Sequence, residues 1–137
     1  MPASGRIPVP GSYLLDTSVV VSLLNGDPAT ANGLESASAV FVSSIALGEL
    51  DYGAGRSGRP TANLSRIDDF ADSCAVLAAG RDTAREYGRV KSELRSKGRP
   101  IPENDVWIAA CALHHGLILV TRDRHFEEVD GLVTEPW

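Results

Sequence analysis

Four carboxylates stand beside apolar or helix-forming stretches that are far apart in the chain: Asp16, Glu49, Asp105 and Asp123. Asp16 follows the apolar run Tyr13-Leu14-Leu15, and an isolated carboxylate beside buried apolar packing is costly unless its charge is compensated. A helix N-terminus, a hydroxyl group or a cation can each compensate it. Thr17 and Ser18 supply hydroxyls next to Asp16, so a purely structural helix-capping role stays open for this residue.

The other three acids also have structural explanations when each is taken alone. Glu49 can be a half-exposed helix residue, Asp105 a first-turn acid favoured by the helix dipole, and Asp123 a turn residue paired with an arginine. Taken together they predict more, because two carboxylates about 4 Å apart repel by roughly 4 kcal/mol at an effective dielectric near 20. Converging acids therefore take up protons or bind a hard cation. Oxygen ligands favour Mg²⁺ or Mn²⁺, which can activate a water for attack on a phosphodiester.

Predicted strands and helices alternate along the chain, and their arrangement determines whether the four acids lie close together in the fold. Apolar runs predict strands at 13–16, 39–42, 75–78 and 117–121, with a short last strand near 132–134. Helical spacing and capping residues predict helices at 17–24, from 28, from 44 towards 55, and at 61–73, 81–97 and 105–115. The predicted caps are Thr17 or Ser18 for the first helix, Ser43 for the helix from 44 and Asn104 for the helix from 105. Near-continuous apolar strands between helices indicate an α/β fold. We expect three α/β/α layers around a mainly parallel sheet of four to five strands.

This topology brings three of the acids to one edge of the sheet. Sites in open parallel sheets form beyond the carboxyl ends of the strands. Asp16 ends the first strand, Glu49 lies about two turns into the helix after the second, and Asp123 follows the strand that ends at Thr121. Asp105 begins the helix that feeds that strand, so we expect it at the opposite edge unless the proline-rich segment 99–102 brings the chain back.

Length and composition limit the class of protein. The 137 residues fit one domain, which we place at 13–137, after a Pro-, Gly- and Ser-rich lead-in at 1–12 that we expect to be flexible. We expect no membrane association, since no apolar run is long enough to cross a bilayer. Two cysteines without a metal-binding spacing suit a reducing cytoplasm, and no apolar leader is visible.

The acidic balance argues at first against a nucleic-acid partner. The net charge is −5, from 18 acidic and 13 basic residues, whereas nucleic-acid-binding surfaces are normally basic. If four acids share one metal site, the remaining 14 (18 less four) face 13 bases. The rest of the surface is then close to neutral, and the objection weakens.

Four segments, in order, resemble the PIN domain and, within it, the VapC-type toxins of bacterial toxin–antitoxin pairs. They are Leu14-Leu15-Asp16-Thr17-Ser18, Ser43-Ser44-Ile45-Ala46-Leu47-Gly48-Glu49-Leu50, Ile101-Pro102-Glu103-Asn104-Asp105-Val106-Trp107-Ile108-Ala109-Ala110 and Leu119-Val120-Thr121-Arg122-Asp123-Arg124-His125-Phe126. Each segment is a weak match alone, but four at this spacing are specific. The resemblance covers the chain from about Tyr13 to Val133.

The resemblance implies an Mg²⁺-dependent endoribonuclease, with Mn²⁺ as an alternative to Mg²⁺, that acts as the toxin of its pair. Its catalytic and metal-binding residues would be Asp16, Glu49, Asp105 and Asp123, since in this family the helix of the third acid begins at the acidic pocket. The supporting residues would be Thr17, Asn104 and Thr121. The implied partners are an RNA substrate, a cognate antitoxin and a second copy of the chain, in a homodimer and a toxin–antitoxin hetero-oligomer. Beside Asp123, the candidates for RNA contact are Arg122, Arg124 and His125.

Two other functions remain to be weighed. An aspartyl phosphatase would use Asp16 as its nucleophile, but such enzymes normally carry a second Asp two residues on, where this chain has Ser18. A non-catalytic Mg²⁺-binding interaction or signalling module would bind the ion without turning over RNA. That module would keep its function when Glu49 is neutralised.

Overall fold

The computed structural model describes residues 7–137, which form a five-stranded sheet flanked by helices. In chain order the elements are β1 (Ser12–Leu15), α1 (Thr17–Leu24), α2 (Pro28–Ser36), β2 (Ala39–Ser43), α3 (Ser44–Gly55), α4 (Pro60–Ser73), β3 (Ala75–Leu77), α5 (Arg81–Lys97), α6 (Glu103–His115), β4 (Ile118–Val120), a 3-10 helix (Arg124–Glu128) and β5 (Thr134–Glu135). The predicted three-layer α/β/α fold is confirmed.

All the strands run parallel, in the order β3-β2-β1-β4-β5. The central strand β1 pairs with β2 and β4, and Leu14 lies in register with Phe41 on one side and Leu119 on the other. Leu14 and Leu15 are completely buried, as expected for a strand covered on both faces. Because β1 ends between two neighbours, Asp16 emerges in the middle of the carboxyl edge.

The predicted start of the domain stays a prediction. The first half of the proposed lead-in lies outside the described residues. In the described part, the Gly11 carbonyl accepts hydrogen bonds from the Ser38 and Ala39 backbone amides. β1 begins at Ser12, one residue before the predicted boundary.

Two predicted helix caps are wrong. The first helix is capped by Asp16, whose side chain accepts from the Thr17 amide, and not by Thr17 or Ser18. α6 is not capped by Asn104, because the Pro102 carbonyl accepts from the Asp105 and Val106 amides and the helix begins at Glu103. The fixed φ of proline prepares this early start. The Ser43 cap of α3 is confirmed, with Ser43 accepting from the Ala46 amide.

The last strand lies at 134–135, later than the predicted 132–134. The reason is its pairing with the end of β4: the Thr121 amide donates to the Glu135 carbonyl, and the Leu119 amide donates to the Val133 carbonyl. The boundaries of the other four strands differ from prediction by at most one residue, as is usual at element ends.

An antiparallel helix hairpin brings Asp105 to the carboxyl edge. Near the start of α5, the Thr83 hydroxyl lies 2.7 Å from His114 Nδ1 near the end of α6, and further along Lys91 pairs with Glu103 at 3.0 Å. α5 ends at Gly98, which adopts the left-handed conformation (φ 67°) that favours glycine. The condition left open by the topology is therefore met: the chain returns, and Asp105 joins the other acids. The reversal is made by α5 and the turn at 98–102.

Candidate metal centre

Asp16 is a buried carboxylate whose hydrogen-bonding partners within residues 7–137 are all neutral. It is only 5% exposed. Its Oδ1 accepts from the Thr17 amide at 2.8 Å, and its Oδ2 accepts from the hydroxyls of Thr121 at 2.8 Å and Ser18 at 3.4 Å. Burial raises the pKa of Asp16 above its ordinary value, although these hydrogen bonds oppose the shift. The site therefore orients the carboxylate without neutralising its charge.

Glu49 is held on the second turn of α3 by a hydroxyl from the neighbouring helix. The Thr17 hydroxyl donates to Glu49 Oε1 at 2.7 Å. Thr17 thus donates hydrogen bonds to two acids, because its backbone amide donates to Asp16. Thr121 also contacts two acids, since its hydroxyl donates to Asp16 and accepts from the Asp123 amide at 3.1 Å. Both threonines lie where the predicted supporting role requires.

His125 lies between the other two acids. Its Nε2 is 2.8 Å from Asp105 Oδ2, and its Nδ1 is 2.8 Å from Asp123 Oδ1. The Nε2 atom is buried, and within residues 7–137 it has no hydrogen bond of good geometry. Its contact with Asp105 is therefore a close electrostatic approach off the N–H direction. His125 is a bridge between two carboxylates, a position that the sequence did not reveal.

The four acids interact electrostatically. The pKa of Asp105 is raised by burial first and then by the charges of Asp16 and Glu49, while His125 lowers it. The charge of Asp123 likewise adds to the raised pKa of Asp16. The structure thus brings together all four carboxylates predicted from the sequence.

This cluster fits a divalent cation. Asp105, Asp123 and His125 offer potential ligand atoms that all lie within 4.8 Å of one another. Across residues 7–137, no lysine or arginine pairs with any of the four acids. Several converging carboxylates supplied mainly with hydroxyl and amide donors are the oxygen-rich environment that Mg²⁺ and Mn²⁺ prefer.

The two arginines that flank Asp123 have different surroundings, since Arg122 is engaged by other parts of the chain and Arg124 is exposed. The Arg122 guanidinium donates to the Trp137 carbonyl at 2.6 Å and to the Thr30 hydroxyl at 3.1 Å, and it pairs with Asp27. These groups on α2 and at the C-terminus engage the side chain, and its role as an RNA contact stays a prediction. Arg124 is free to reach solvent, with an 89% exposed side chain and a long 3.9 Å contact to Glu127.

An open cavity of about 470 Å³ adjoins the acids. Its lining residues are Ser44, Ile45, Gly48, Glu49, Tyr52 and Asn104. Of these lining residues, only Glu49 and Asn104 were predicted from the sequence as site residues. Asn104 is exposed on the first turn of α6 and lines this cavity, and its supporting role stays a prediction. Tyr52 was missed, although its position three residues after Glu49 on one helix was a usable signal.

This chain is similar to known proteins over most of its length. The PIN domain family model matches residues 13–132. Ribonuclease VapC2 of Haemophilus influenzae is 39% identical over 128 residues, which cover 91% of this chain and 97% of that protein. The tRNA(fMet)-specific endonuclease VapC of Shigella flexneri is 36% identical with the same coverage.

A solved structure extends the similarity to the fold. The crystal structure of VapBC2 from Rickettsia felis, bound to a DNA fragment from its promoter, contains a chain that superimposes with a TM-score of 0.86 at 32% identity. The match covers 91% of this chain and 98% of that one. The matched family model, the relatives that align over nearly their whole length and the shared fold lead to one conclusion: this chain belongs to the PIN domain family, alongside the VapC ribonucleases.

Proposed function

We propose that this protein is a divalent-metal-dependent endoribonuclease that acts as the toxin of a toxin–antitoxin pair. The observation that carries the proposal is the convergence of Asp16, Glu49, Asp105 and Asp123 without a lysine or arginine partner among the described residues. The names of the related VapC ribonucleases and endonucleases support the same activity.

The four acids would together hold Mg²⁺, with Mn²⁺ as an alternative. When bound, such an ion lowers the pKa of a coordinated water and neutralises charge on the phosphodiester. The chain's own residues prepare this chemistry: Thr121 and Thr17 fix the oxygens of Asp16 and Glu49, and His125 keeps Asp105 and Asp123 together. Fixed ligands of this kind reduce the reorganisation needed for catalysis.

The open side of the site indicates where substrate enters. The side chain of Asp16 is buried below the hydroxyls, whereas the side chain of Asp123 is 49% exposed. A phosphate group of RNA therefore approaches from the side of Asp123 and Glu49. Arg124, on the exposed turn after Asp123, is available to contact the phosphate backbone.

The partners follow from the relatives. The solved relatives of Rickettsia felis and Salmonella typhimurium are VapBC complexes bound to DNA. By analogy, we propose a cognate antitoxin, a homodimer of this chain and a hetero-oligomer of the two proteins, acting in the cytoplasm. Within residues 7–137, no helix is both long enough and apolar enough to cross a membrane.

The activity is tested with purified protein, total RNA and either Mg²⁺ or Mn²⁺. We expect metal-dependent cleavage that is lost in Asp16→Asn and Asp105→Asn. Asp27→Asn is the matched control, because Asp27 caps the next helix and pairs with Arg122. Cleavage that persists in both active-site variants, or in excess EDTA, would overturn the proposal. Metal binding without any RNA turnover would instead favour a signalling module.

The toxin role needs a separate test in cells. Expression of the chain alone should arrest growth, and co-expression with its cognate antitoxin should relieve the arrest. Asp16→Asn should relieve it without the antitoxin, while Asp27→Asn, produced at the same level, should still arrest growth. Equal arrest by wild type and Asp16→Asn would contradict a role that depends on nuclease activity.

A further inference from the structure

Tyr52 is an exposed aromatic side chain one helical turn beyond a proposed metal ligand. It is 68% exposed, and among the described residues it is the one aromatic in the group of exposed large hydrophobic side chains. Tyr52 follows Glu49 by three positions on α3, a spacing that places the two side chains on the same face, with their Cβ atoms about 5–6 Å apart. The ring therefore stands beside the acid cluster.

The cavity between this ring and the start of α6 is continuous with the acid cluster, since Glu49 lines both. The volume of this cavity, about 470 Å³, lies in the range of cavities that bind small ligands. Ile45 contributes an apolar wall, and Ser44 and Asn104 contribute a neutral hydroxyl and an amide. A Cβ atom added at Gly48 would meet nothing within 4 Å, so the space beside this glycine is open.

The chemistry of these groups suits a nucleobase. A planar base can stack on an exposed aromatic ring, and amide and hydroxyl groups can satisfy the hydrogen-bonding edge of the base. A positive charge also lies beside the ring: Arg56 Cζ is 5.5 Å from the centroid of Tyr52. No carboxylate in the described part of the chain pairs with Arg56.

Building on the proposed function, we propose that this cavity is a nucleobase subsite for single-stranded RNA. A base next to the scissile phosphate stacks on Tyr52, with Ser44 and Asn104 at its edge, and Arg56 contacts a flanking phosphate. The continuity with Glu49 favours substrate as the occupant, because an RNA strand whose phosphate lies at the acids is next to this cavity, which Glu49 also lines. Ring stacking tolerates every base, whereas the polar pair can add a preference among bases.

The test measures RNA binding separately from cleavage. Fluorescein-labelled oligoadenylate and oligouridylate are titrated with full-length protein in EDTA, and binding is followed by fluorescence anisotropy. Tyr52→Ala and Tyr52→Leu should weaken binding about tenfold, as expected for the loss of one stacked base. Tyr52→Phe keeps the ring and should bind within about twofold of wild type. In cleavage assays with Mg²⁺, Tyr52→Ala should raise KM with little change in kcat.

Arg56→Ala and Arg59→Ala form a matched pair of exposed arginine variants on the two sides of the α3–α4 turn. Arg56→Ala should weaken binding and reduce its salt dependence, because one phosphate contact is lost, and Arg59→Ala should do so less. Equal effects of the two variants would overturn the assignment of Arg56.

Three results would overturn the Tyr52 subsite. The first is RNA binding by Tyr52→Ala equal to that of wild type, and the second is full affinity in Tyr52→Leu. The third is a change by Tyr52→Ala in the oligomeric state alone, measured by sedimentation velocity, which would make the ring a contact between copies of the chain. Failure of wild type to cleave RNA in Mg²⁺ or Mn²⁺ would instead count against the proposed function. The anisotropy comparison would still be readable in that case.

Discussion

Two aspartates cap consecutive helices in this protein, yet their carboxylates have opposite electrostatic environments. Asp27 caps α2, accepts from the amide and hydroxyl of Thr30 and pairs with Arg122, and these contacts hold its pKa below the ordinary value. Asp16 caps α1, but its hydrogen-bond donors in the described part of the chain are all neutral, and burial raises its pKa. The comparison distinguishes a carboxylate that stabilises the fold from one that is held ready for an external cation.

The segment after β4 contacts both aspartates. After β4, Thr121 donates to Asp16, whereas Arg122 turns to Asp27. The next residues return to the metal centre, where His125 contacts Asp105 and Asp123. Successive residues of an extended chain point to opposite sides, so one segment can support the fold on one side and the site on the other.

The largest expected difference between the two aspartates is in catalysis. Asp16→Asn should reduce the initial rate of RNA cleavage at least ~100-fold, because one charged ligand of the proposed metal is lost. Asp27→Asn should change the rate by less than about twofold, a typical limit for a residue outside the site. The comparison requires equal fractions of folded protein, checked by circular dichroism. Similar losses in both variants would contradict the division of roles.

The stabilisation of the fold by Mn²⁺ should also differ between variants of the metal centre and variants of Asp27. At a Mn²⁺ concentration of 100 Kd, the free energy of unfolding should rise by about 2.7 kcal/mol in wild type and in Asp27→Asn. Asp105→Asn should lose most of this increase, because the repulsion that the ion relieves and one of its ligands are both removed. Urea denaturation with and without Mn²⁺ measures the difference. An undiminished increase in Asp105→Asn would show that the ion binds elsewhere.

A smaller effect is expected from the histidine bridge. His125→Ala should weaken Mn²⁺ binding about tenfold, since groups that orient metal ligands typically contribute this much to affinity. Isothermal titration calorimetry with Mn²⁺ provides the measurement, and His114→Ala is the matched control on the far end of α6. Tighter binding by His125→Ala would show that the imidazole competes with the ion and does not position its ligands.

The smallest expected effect concerns the structural aspartate. Arg122→Ala and Asp27→Asn should each lower the Tm by a few degrees at pH 7, as loss of one ion pair does in a domain of this size. Because the folded pKa of Asp27 is lowered, its stabilising contribution is present above the unfolded pKa and is lost as the pH falls through the folded value. The Tm difference from wild type should therefore shrink on acidification. A difference that is independent of pH would argue against an ion pair.

Local sequence patterns predicted the elements well but not how they are capped and oriented. Apolar runs were sufficient for β1 and β4, because buried parallel strands have this composition. The cap of α6 was misplaced since Asn104 is a good capping residue locally, while Pro102 already begins the helix. Asp105 required long-range information: only the packing of α5 on α6 brings it to the acids.

Side-chain direction was the hardest property to infer for the site. Arg122 and His125 both flank Asp123 in sequence, yet one contacts α2 and the other contacts two acids. The exposure of Tyr52 could not be predicted either, because helical spacing indicates on which face of α3 the residue lies but not whether another element covers that face. Convergence of the four acids could be inferred from topology and family resemblance together, since each acid lies at an element end or on the first turns of a helix.

The central claim, that these carboxylates share one divalent ion, is tested most directly by anomalous scattering from crystals grown with Mn²⁺. We predict an anomalous peak within coordination distance, about 2.0–2.6 Å, of oxygens from Asp16 and Asp105. No such peak should appear at Asp27. A protein that cleaves RNA in Mn²⁺ but shows its ion away from these acids, or no ion at all, would contradict the account.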